Sequence, residues 1–163
     1  AIQCLKDLPD NITVELDLYG QIYNQTYWQE CLAEIELLPA NIAVTHKGFI
    51  EPEEIPTTIK EYHALFLPTR GENFGHVILE SFMAGRPVLI SDQTPWRNLH
   101  IRKAGWDLSL NNPKAFEEVL MLLDGMGQEE FEDWCRGAWQ MGQESANDEA
   151  LLDQYRKLFG KNH

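Results

Sequence analysis

Residues 63–91 read HALFLPTRGENFGHVILESFMAGRPVLIS. The apolar run 63–67 stops at a proline, which is typical of a buried strand in a parallel sheet. Apolar residues at helical spacing follow from Val77 to Gly85, a residue type that often ends helices, and the run 87–90 predicts a second strand. This order of strand, loop, helix and strand predicts an α/β fold, with a Rossmann-like parallel sheet flanked by helices.

The loop between this strand and this helix has the features of an anion-binding site. In parallel α/β sheets, ligands bind at the carboxyl ends of strands, where this loop lies. Gly71 and Gly75 let the backbone approach a ligand closely, and the amides from Gly75 to Val77 begin a helix whose dipole attracts anions. Glu72 and Glu80 would repel an anion, but each can accept hydrogen bonds from a sugar diol. The pattern favours a ligand that contains a phosphate ester flanked by hydroxyl groups.

Residues 64–99 resemble the donor-site signature of retaining glycosyltransferases of family 4, which have the GT-B fold. The hallmark of that signature is a pair of glutamates separated by seven residues, and Glu72 and Glu80 have this spacing around an Asn-Phe-Gly segment. The resemblance implies that Glu72 is the catalytic residue near the donor sugar. It also implies that Glu80 holds the ribose of a nucleotide diphosphate sugar. The alternative is that neither residue has a functional role. Glu80 is then a solvated helix glutamate, and Glu72 is a loop carboxylate near a helix N-terminus, where the helix dipole favours it.

The remaining donor-site candidates surround these two glutamates. By resemblance, the backbone of residues 73–75 would hold the sugar and the phosphates. The complete set of donor-binding candidates beside Glu80 is Asn73, Phe74, Gly75, His76, Arg70, Gly71, Lys47 and Phe49. Two alternatives stay open: Arg70 contacts a phosphate or pairs with Glu72, and Phe49 borders the base or lies in the core. Trp96 stands where many family members have a glycine-rich turn, and we interpret it as a packing residue rather than a sugar platform.

The resemblance covers nearly the whole chain but only the C-terminal half of a GT-B enzyme. We expect residues 1–163 to form a single Rossmann-like donor-binding domain. In the family this half opens with a strand and a loop whose arginine and lysine neutralise the donor phosphates, and no such segment precedes Cys4. Residues 2–8 are typical of the end of the helix that follows that loop. The chain is therefore expected to lack the first strand and to be a fragment of a longer two-domain chain.

The implied reaction is transfer of a sugar from a UDP- or GDP-sugar to a hydroxyl of a glycan or lipid-linked glycan, with retained configuration. No metal or other cofactor is obligatory by this resemblance. Acceptor contacts would lie in the absent N-terminal half, so this half alone is expected to be inactive. The implied setting is bacterial polysaccharide or cell-envelope biosynthesis. The alternatives are a non-catalytic nucleotide-binding or interaction module, and another GT-B enzyme such as a sugar-nucleotide epimerase or a glycan phosphorylase.

Composition excludes other classes of function. A net charge of −13 argues against a nucleic-acid partner, which would require clustered lysine and arginine. No apolar stretch approaches the roughly 20 residues that span a bilayer, so we expect no transmembrane segment. The expected location is the cytoplasm, with a position peripheral to the inner face of the membrane as the alternative. Histidines and cysteines lack the spacing of metal ligands. The three widely spaced cysteines are predicted to be reduced, buried thiols: Cys4, Cys31 and Cys135.

Charge and hydrophobic spacing give the remaining expectations. Between residues 70 and 103, basic residues outnumber acidic ones, which predicts a positive surface that attracts an anionic donor. The basic residues are Arg70, Arg86, Arg97, Arg102 and Lys103.

Hydrophobic spacing predicts strands at 11–20 and 41–45, a loop at 46–50, and helices at 27–38, 55–62, 113–124, 128–143 and 148–159. Trp28, Trp134 and Trp139 are predicted to pack between helices.

Overall fold

The computed structural model describes residues 1–147, and parallel strands in two sheets form the framework of this part of the chain. One sheet contains β1 (Val14–Tyr19) and β2 (Ile42–Gly48). The other has the order β3-β4-β5 and contains β3 (Leu65–Leu67), β4 (Val88–Ser91) and β5 (Gly105–Leu108). The predicted α/β class with parallel strands and flanking helices is therefore confirmed.

Helices connect and cover these strands. They are α1 (Gln25–Ile35), α2 (Ile55–Ile59), α3 (His76–Met83), α4 (Pro113–Gly125) and α5 (Gln128–Ala146), with short 3₁₀ helices at Ile2–Leu5 and His100–Arg102. The side chain of Asn24 caps α1 by accepting a hydrogen bond from the N–H of Tyr27 (3.0 Å). Gly85, with a φ of 69°, follows the last turn of α3 and gives it a left-handed ending.

Several predicted boundaries are wrong. The loop predicted at 46–50 is in part strand, because β2 continues beside β1 until Tyr19 pairs with Gly48. Strand β5 was not predicted, since it is only four residues long, begins with glycine and contains Asp107. Helices α1 and α2 end three residues before their predicted ends. The helix predicted at 148–159 lies outside the described residues.

The core closest to the candidate loop lies between α3, β4 and α5. Every residue of β4 is buried, as expected for a parallel strand that has a neighbour on each side and is covered on both faces. From α3, Ile78 and Phe82 are fully buried against this strand, and each contributes about 1.5–3 kcal/mol through burial of its side chain. Trp96 and Leu99 complete this cluster from the segment after β4. The start of α3 is therefore anchored by its own apolar face.

Helix α5 lies unusually close to the rest of the fold. A Cβ atom at Gly142 would lie 2.9 Å from the backbone nitrogen of Met83, and one at Gly137 would lie 2.3 Å from the carbonyl oxygen of Arg102. Glycine at these positions lets α5 cover α3 and the segment before β5. A substitution there requires backbone movement, since the obstructing atoms belong to the main chain.

The tryptophans predicted to pack between helices differ in burial. Trp134 stacks on Trp106 with ring centroids 4.0 Å apart, as a core residue would. Trp139 is 50% exposed, so its predicted packing role is wrong. The ring of Trp28 lies 5.1 Å from that of His46, against a strand rather than a second helix.

The cysteines are all free thiols, but only Cys4 is buried, while Cys31 and Cys135 are partly exposed. Within residues 1–147, no group of three or more histidine, cysteine or acidic side chains is arranged to hold a metal ion. No helix in the same range is both long and apolar enough to cross a bilayer.

We predict that Gly137→Ala destabilises the protein by about 1–3 kcal/mol, because the added methyl group displaces the backbone between the second 3₁₀ helix and β5. Gly125→Ala is the matched control, as Gly125 also lies in a helix but has nothing within 4 Å of a Cβ. Urea denaturation measures both. Equal stability of the two variants would contradict the close packing of α5.

Candidate functional site

The predicted site residues from 70 to 80 lie in the loop after β3 and in the first turns of α3. We call residues 68–75 the β3–α3 loop, since they leave the carboxyl end of β3 and lead into α3. Residues 92–99, the β4 loop, leave the carboxyl end of the neighbouring parallel strand. The two loops therefore lie beside each other at the edge of the sheet where α/β proteins bind ligands.

The turn into α3 depends on Gly75. This residue is buried, has a φ of 73° and precedes the first residue of the helix. Its carbonyl oxygen accepts hydrogen bonds from the N–H groups of Ile78 (2.9 Å) and Leu79 (3.3 Å), which close the first turn. A Cβ atom would lie 2.7 Å from Cδ1 of Ile78. Glycine here allows the helix to begin abruptly, with its first amides at the edge of the sheet.

Glu80 lies in the second turn of α3, four residues after His76, so the two side chains share one face of the helix. Glu80 is half-buried. Burial raises the pKa of its carboxyl group, and the charge of His76 partly offsets this effect by lowering it. A partly desolvated carboxylate gains more from a hydrogen-bond donor than one in bulk water does. Glu80 therefore differs physically from a solvated helix glutamate.

Glu72 and its neighbours are exposed, in contrast to Gly75. The side chains of Arg70, Glu72 and Asn73 are all open to solvent. Arg70 and Glu72 form no ion pair in the described residues, so that alternative for Arg70 is not observed. Gly71 is fixed locally, because its N–H donates to Oγ1 of Thr69 (3.2 Å). The exposed side chains remain available to a ligand.

Three hydrogen bonds connect the β3–α3 loop to β4 and its loop. The hydroxyl of Ser91 donates to the carbonyl oxygen of Thr69 (2.5 Å). The N–H of Glu72 donates to the carbonyl oxygen of Gln93 (3.1 Å). The indole N–H of Trp96 donates to the carbonyl oxygen of Phe74 (2.9 Å). These contacts could not be predicted from the sequence, because all three are accepted by main-chain carbonyl oxygens and depend on which loops are neighbours.

Lys47 and Phe49 belong to the other sheet. Lys47 lies within β2, and its ammonium group is 3.3 Å from the carboxylate of Asp17. Its predicted position in a loop is therefore wrong. Phe49 is 58% exposed, which excludes the alternative that it is a core residue. These two residues lie at the end of β2, whereas Glu72 and Glu80 follow β3 of the other sheet.

The predicted positive surface at the site is wrong for most of its members. Arg86, Arg102 and Lys103 precede β4 and β5, so they lie at the amino edge, opposite the candidate loops. Arg102 forms an ion pair with Glu144 of α5 (2.5 Å), and Lys103 forms one with another acidic residue of α5. Basic residues that are close in sequence therefore lie at opposite edges of the sheet, because a residue before a strand and a residue after it are at opposite ends of that strand. Arg97 remains in the β4 loop, where its guanidinium donates to backbone carbonyl groups.

Comparison with known proteins identifies a family and several structures with a similar fold. The family model described as "Glycosyl transferases group 1" matches residues 1–123. No curated protein sequence matches the chain. Among solved structures, HepE of Anabaena in complex with UDP-glucose is similar over 98% of this chain and 43% of its own, with 17% identity and a TM-score of 0.73. The same protein in complex with UDP gives 18% identity and a TM-score of 0.73.

A second protein, TarM, is similar over 92% of this chain and 29% of its own, with 18% identity and a TM-score of 0.65. The chain thus spans less than half the length of these solved structures. At such identities the likeness establishes the fold. The described architecture is that of the C-terminal domain of GT-B glycosyltransferases.

We predict that Gly75→Ala destabilises the protein by about 1–2 kcal/mol, because alanine is strained at a φ of 73°. Gly71→Ala in the same loop is the control, since nothing lies within 4 Å of its Cβ position and its backbone is not left-handed. Thermal unfolding of both variants measures the difference. Loss of stability in Gly71→Ala alone would contradict the described turn.

Proposed function

The chain belongs to the group 1 glycosyl transferases, and we propose that it is the nucleotide-sugar donor-binding domain of a retaining enzyme of glycosyltransferase family 4. In this proposal, Glu80 accepts hydrogen bonds from the ribose hydroxyls and Glu72 serves the donor sugar as the catalytic residue. The backbone of Asn73, Phe74 and Gly75 holds the sugar and the phosphates, with His76, Arg70 and Gly71 beside them.

The main support is the position of Glu80. It shares one helix face with the first residue of α3, close to helix amides that suit a phosphate. Its carboxyl group is partly desolvated, as a ligand-binding group at the base of a cleft would be. The solved structure of HepE with UDP-glucose supports a uridine nucleotide as the donor. Guanosine is the alternative base.

Lys47 and Phe49 enter this proposal as contacts to the nucleotide base. Phe49 presents an exposed aromatic ring directly after β2, suited to packing against a base. Lys47 is paired with Asp17, so we assign it a supporting position rather than a charge on the phosphates. Neither residue has a role in sugar transfer.

The broken sheet supports the proposal that a strand from outside this sequence completes the domain. In the described residues, β1 pairs only with β2, and β3 pairs only with β4. Phe66 of β3 nevertheless packs in the same cluster as Val14 and Leu16 of β1. One further parallel strand between β1 and β3 would give the 3-2-1-4-5-6 order of a doubly wound fold. All of β3 is only partly buried, which leaves apolar surface for such a strand.

In the whole protein, the proposed reaction is transfer of a hexosyl group to a hydroxyl of a glycan or lipid-linked glycan, in a cleft shared with a second domain. Catalysis requires stabilisation of the leaving diphosphate, for which the first amides of α3 are suited. No obligatory metal is part of the proposal. Bacterial polysaccharide or cell-envelope biosynthesis in the cytoplasm, with peripheral contact to the membrane, is the proposed setting.

We predict that UDP added to the isotopically labelled chain shifts the amide NMR signals of residues 71–80. Glu80→Gln should weaken UDP binding roughly 10- to 100-fold, because a hydrogen bond to a charged acceptor is replaced by a neutral one. Glu118→Gln, an exposed glutamate of α4, is the control and should bind normally. Unchanged affinity in Glu80→Gln would contradict the assigned role. GDP in a parallel titration identifies the base.

The pH dependence of UDP binding gives a second prediction. The ionised form of Glu80 accepts the ribose hydrogen bonds, and burial raises the pKa of this group in the free protein. Affinity should therefore fall as pH decreases through that raised pKa, at a higher pH than for a glutamate with an ordinary pKa. Calorimetric titration across the acidic range measures this change.

The ratio of wild-type to Glu80→Gln affinity isolates the effect, because ionisation of the UDP phosphates changes both proteins alike. We expect the ratio to approach one as Glu80 becomes protonated. A ratio that stays constant with pH would contradict direct contact between Glu80 and the nucleotide.

A further inference from the structure

Trp96 is buried in the core beneath the candidate site. Its side chain is 8% exposed, and its ring lies 5.1 Å from that of Phe82 in an edge-to-face arrangement. A second edge-to-face contact, at 6.3 Å, joins it to Phe74 of the β3–α3 loop. The indole is therefore held on two sides by aromatic rings, one of them from the fully buried face of α3.

The indole N–H is directed at one main-chain atom of that loop. It donates to the carbonyl oxygen of Phe74 over 2.9 Å. This bond contributes to stability because Trp96 is buried, and an indole N–H in the core without a partner would carry a desolvation cost. The backbone around Trp96 is also fixed, since its own N–H donates to Oγ1 of the buried Thr94 (3.3 Å). A fixed donor thus determines where the Phe74 carbonyl points.

The orientation of that carbonyl determines the direction of the next amide. The chain contains no cis peptide bond in the described residues. In a planar trans peptide, the C=O of one residue and the N–H of the next point in opposite directions. The N–H of Gly75 therefore points away from the Trp96 indole. Glycine at position 75, with its left-handed φ, would otherwise allow this peptide plane to rotate at little cost.

We propose that Trp96 is a positioning residue that aims the Gly75 N–H at the diphosphate of the bound donor. The inference rests on the proposed function, since it concerns the same site. It assigns to this indole a role in phosphate affinity that packing alone would not give. Ser91 and Gln93 hold the earlier part of the loop, at Thr69 and Glu72, so the three contacts together fix both ends of the segment.

Trp96→Phe tests the proposal, because phenylalanine keeps an aromatic ring in the core but cannot donate to Phe74. Trp106→Phe is the matched control: Trp106 is also buried and stacked on an aromatic ring, but it belongs to a different core cluster from the candidate loop. Both variants lose similar side-chain volume, and urea denaturation measures the stability of each, including any extra loss in Trp96→Phe from the missing hydrogen bond to Phe74. The dispersion of the NMR spectrum confirms that each variant is folded.

The decisive readout is the affinity for UDP compared with that for uridine, which lacks the phosphates. We expect Trp96→Phe to weaken UDP binding roughly threefold to tenfold, the effect of one misdirected hydrogen bond, and to leave uridine binding unchanged. In the free protein, the Gly75 amide and Phe74 carbonyl NMR signals should move in Trp96→Phe and stay in place in Trp106→Phe.

Two results would overturn the positioning role. One is an equal loss of UDP and uridine affinity, which general loosening of the core would produce. The other is unchanged UDP affinity with unmoved signals at Phe74 and Gly75. Failure of the proposed function gives a different result: the wild-type chain itself would bind UDP nowhere near residues 71–80, and the inference would fail with it.

Discussion

The burial of β4 is the constraint on which the rest of the site depends. This strand has a parallel neighbour on each side and no exposed residue, so it fixes the direction of β3 and β5. Because β3 and β4 run the same way, their following loops leave the sheet at one edge. The apolar face of α3 then lies on β4, which holds the start of that helix beside both loops. Packing, rather than polar attraction, places the candidate functional residues.

Hydrogen bonds then fix the β3–α3 loop within the arrangement that core packing sets. The β3–α3 loop is connected to β4 and its loop by a hydroxyl, a main-chain carbonyl and an indole N–H. Gly75 supplies the backbone conformation that turns the chain into α3. Together these features give a fixed loop with exposed glutamate and asparagine side chains and a half-buried glutamate behind it. This division suits a ligand with both charged and hydroxylated parts.

Sequence reasoning succeeded where one local pattern determined the outcome. The helix over 77–84 and its end at Gly85 could be predicted, because apolar spacing and a left-handed glycine act within one segment. The positive surface could not, since strand direction places Arg86 at the opposite edge from Glu72. Strand β5 is too short and too polar for a periodic signal. The contact between Trp96 and Phe74 joins residues that only the strand order brings together.

A crystal structure with UDP bound would show whether residues 70–80 form a nucleotide-binding site. We expect density for the diphosphate at the amino end of α3 and the ribose hydroxyls within hydrogen-bond distance of the Glu80 carboxylate. Phe49 would then lie close to the base. UDP bound elsewhere on the chain, with Glu80 in contact only with solvent, would show that these residues do not form the nucleotide site.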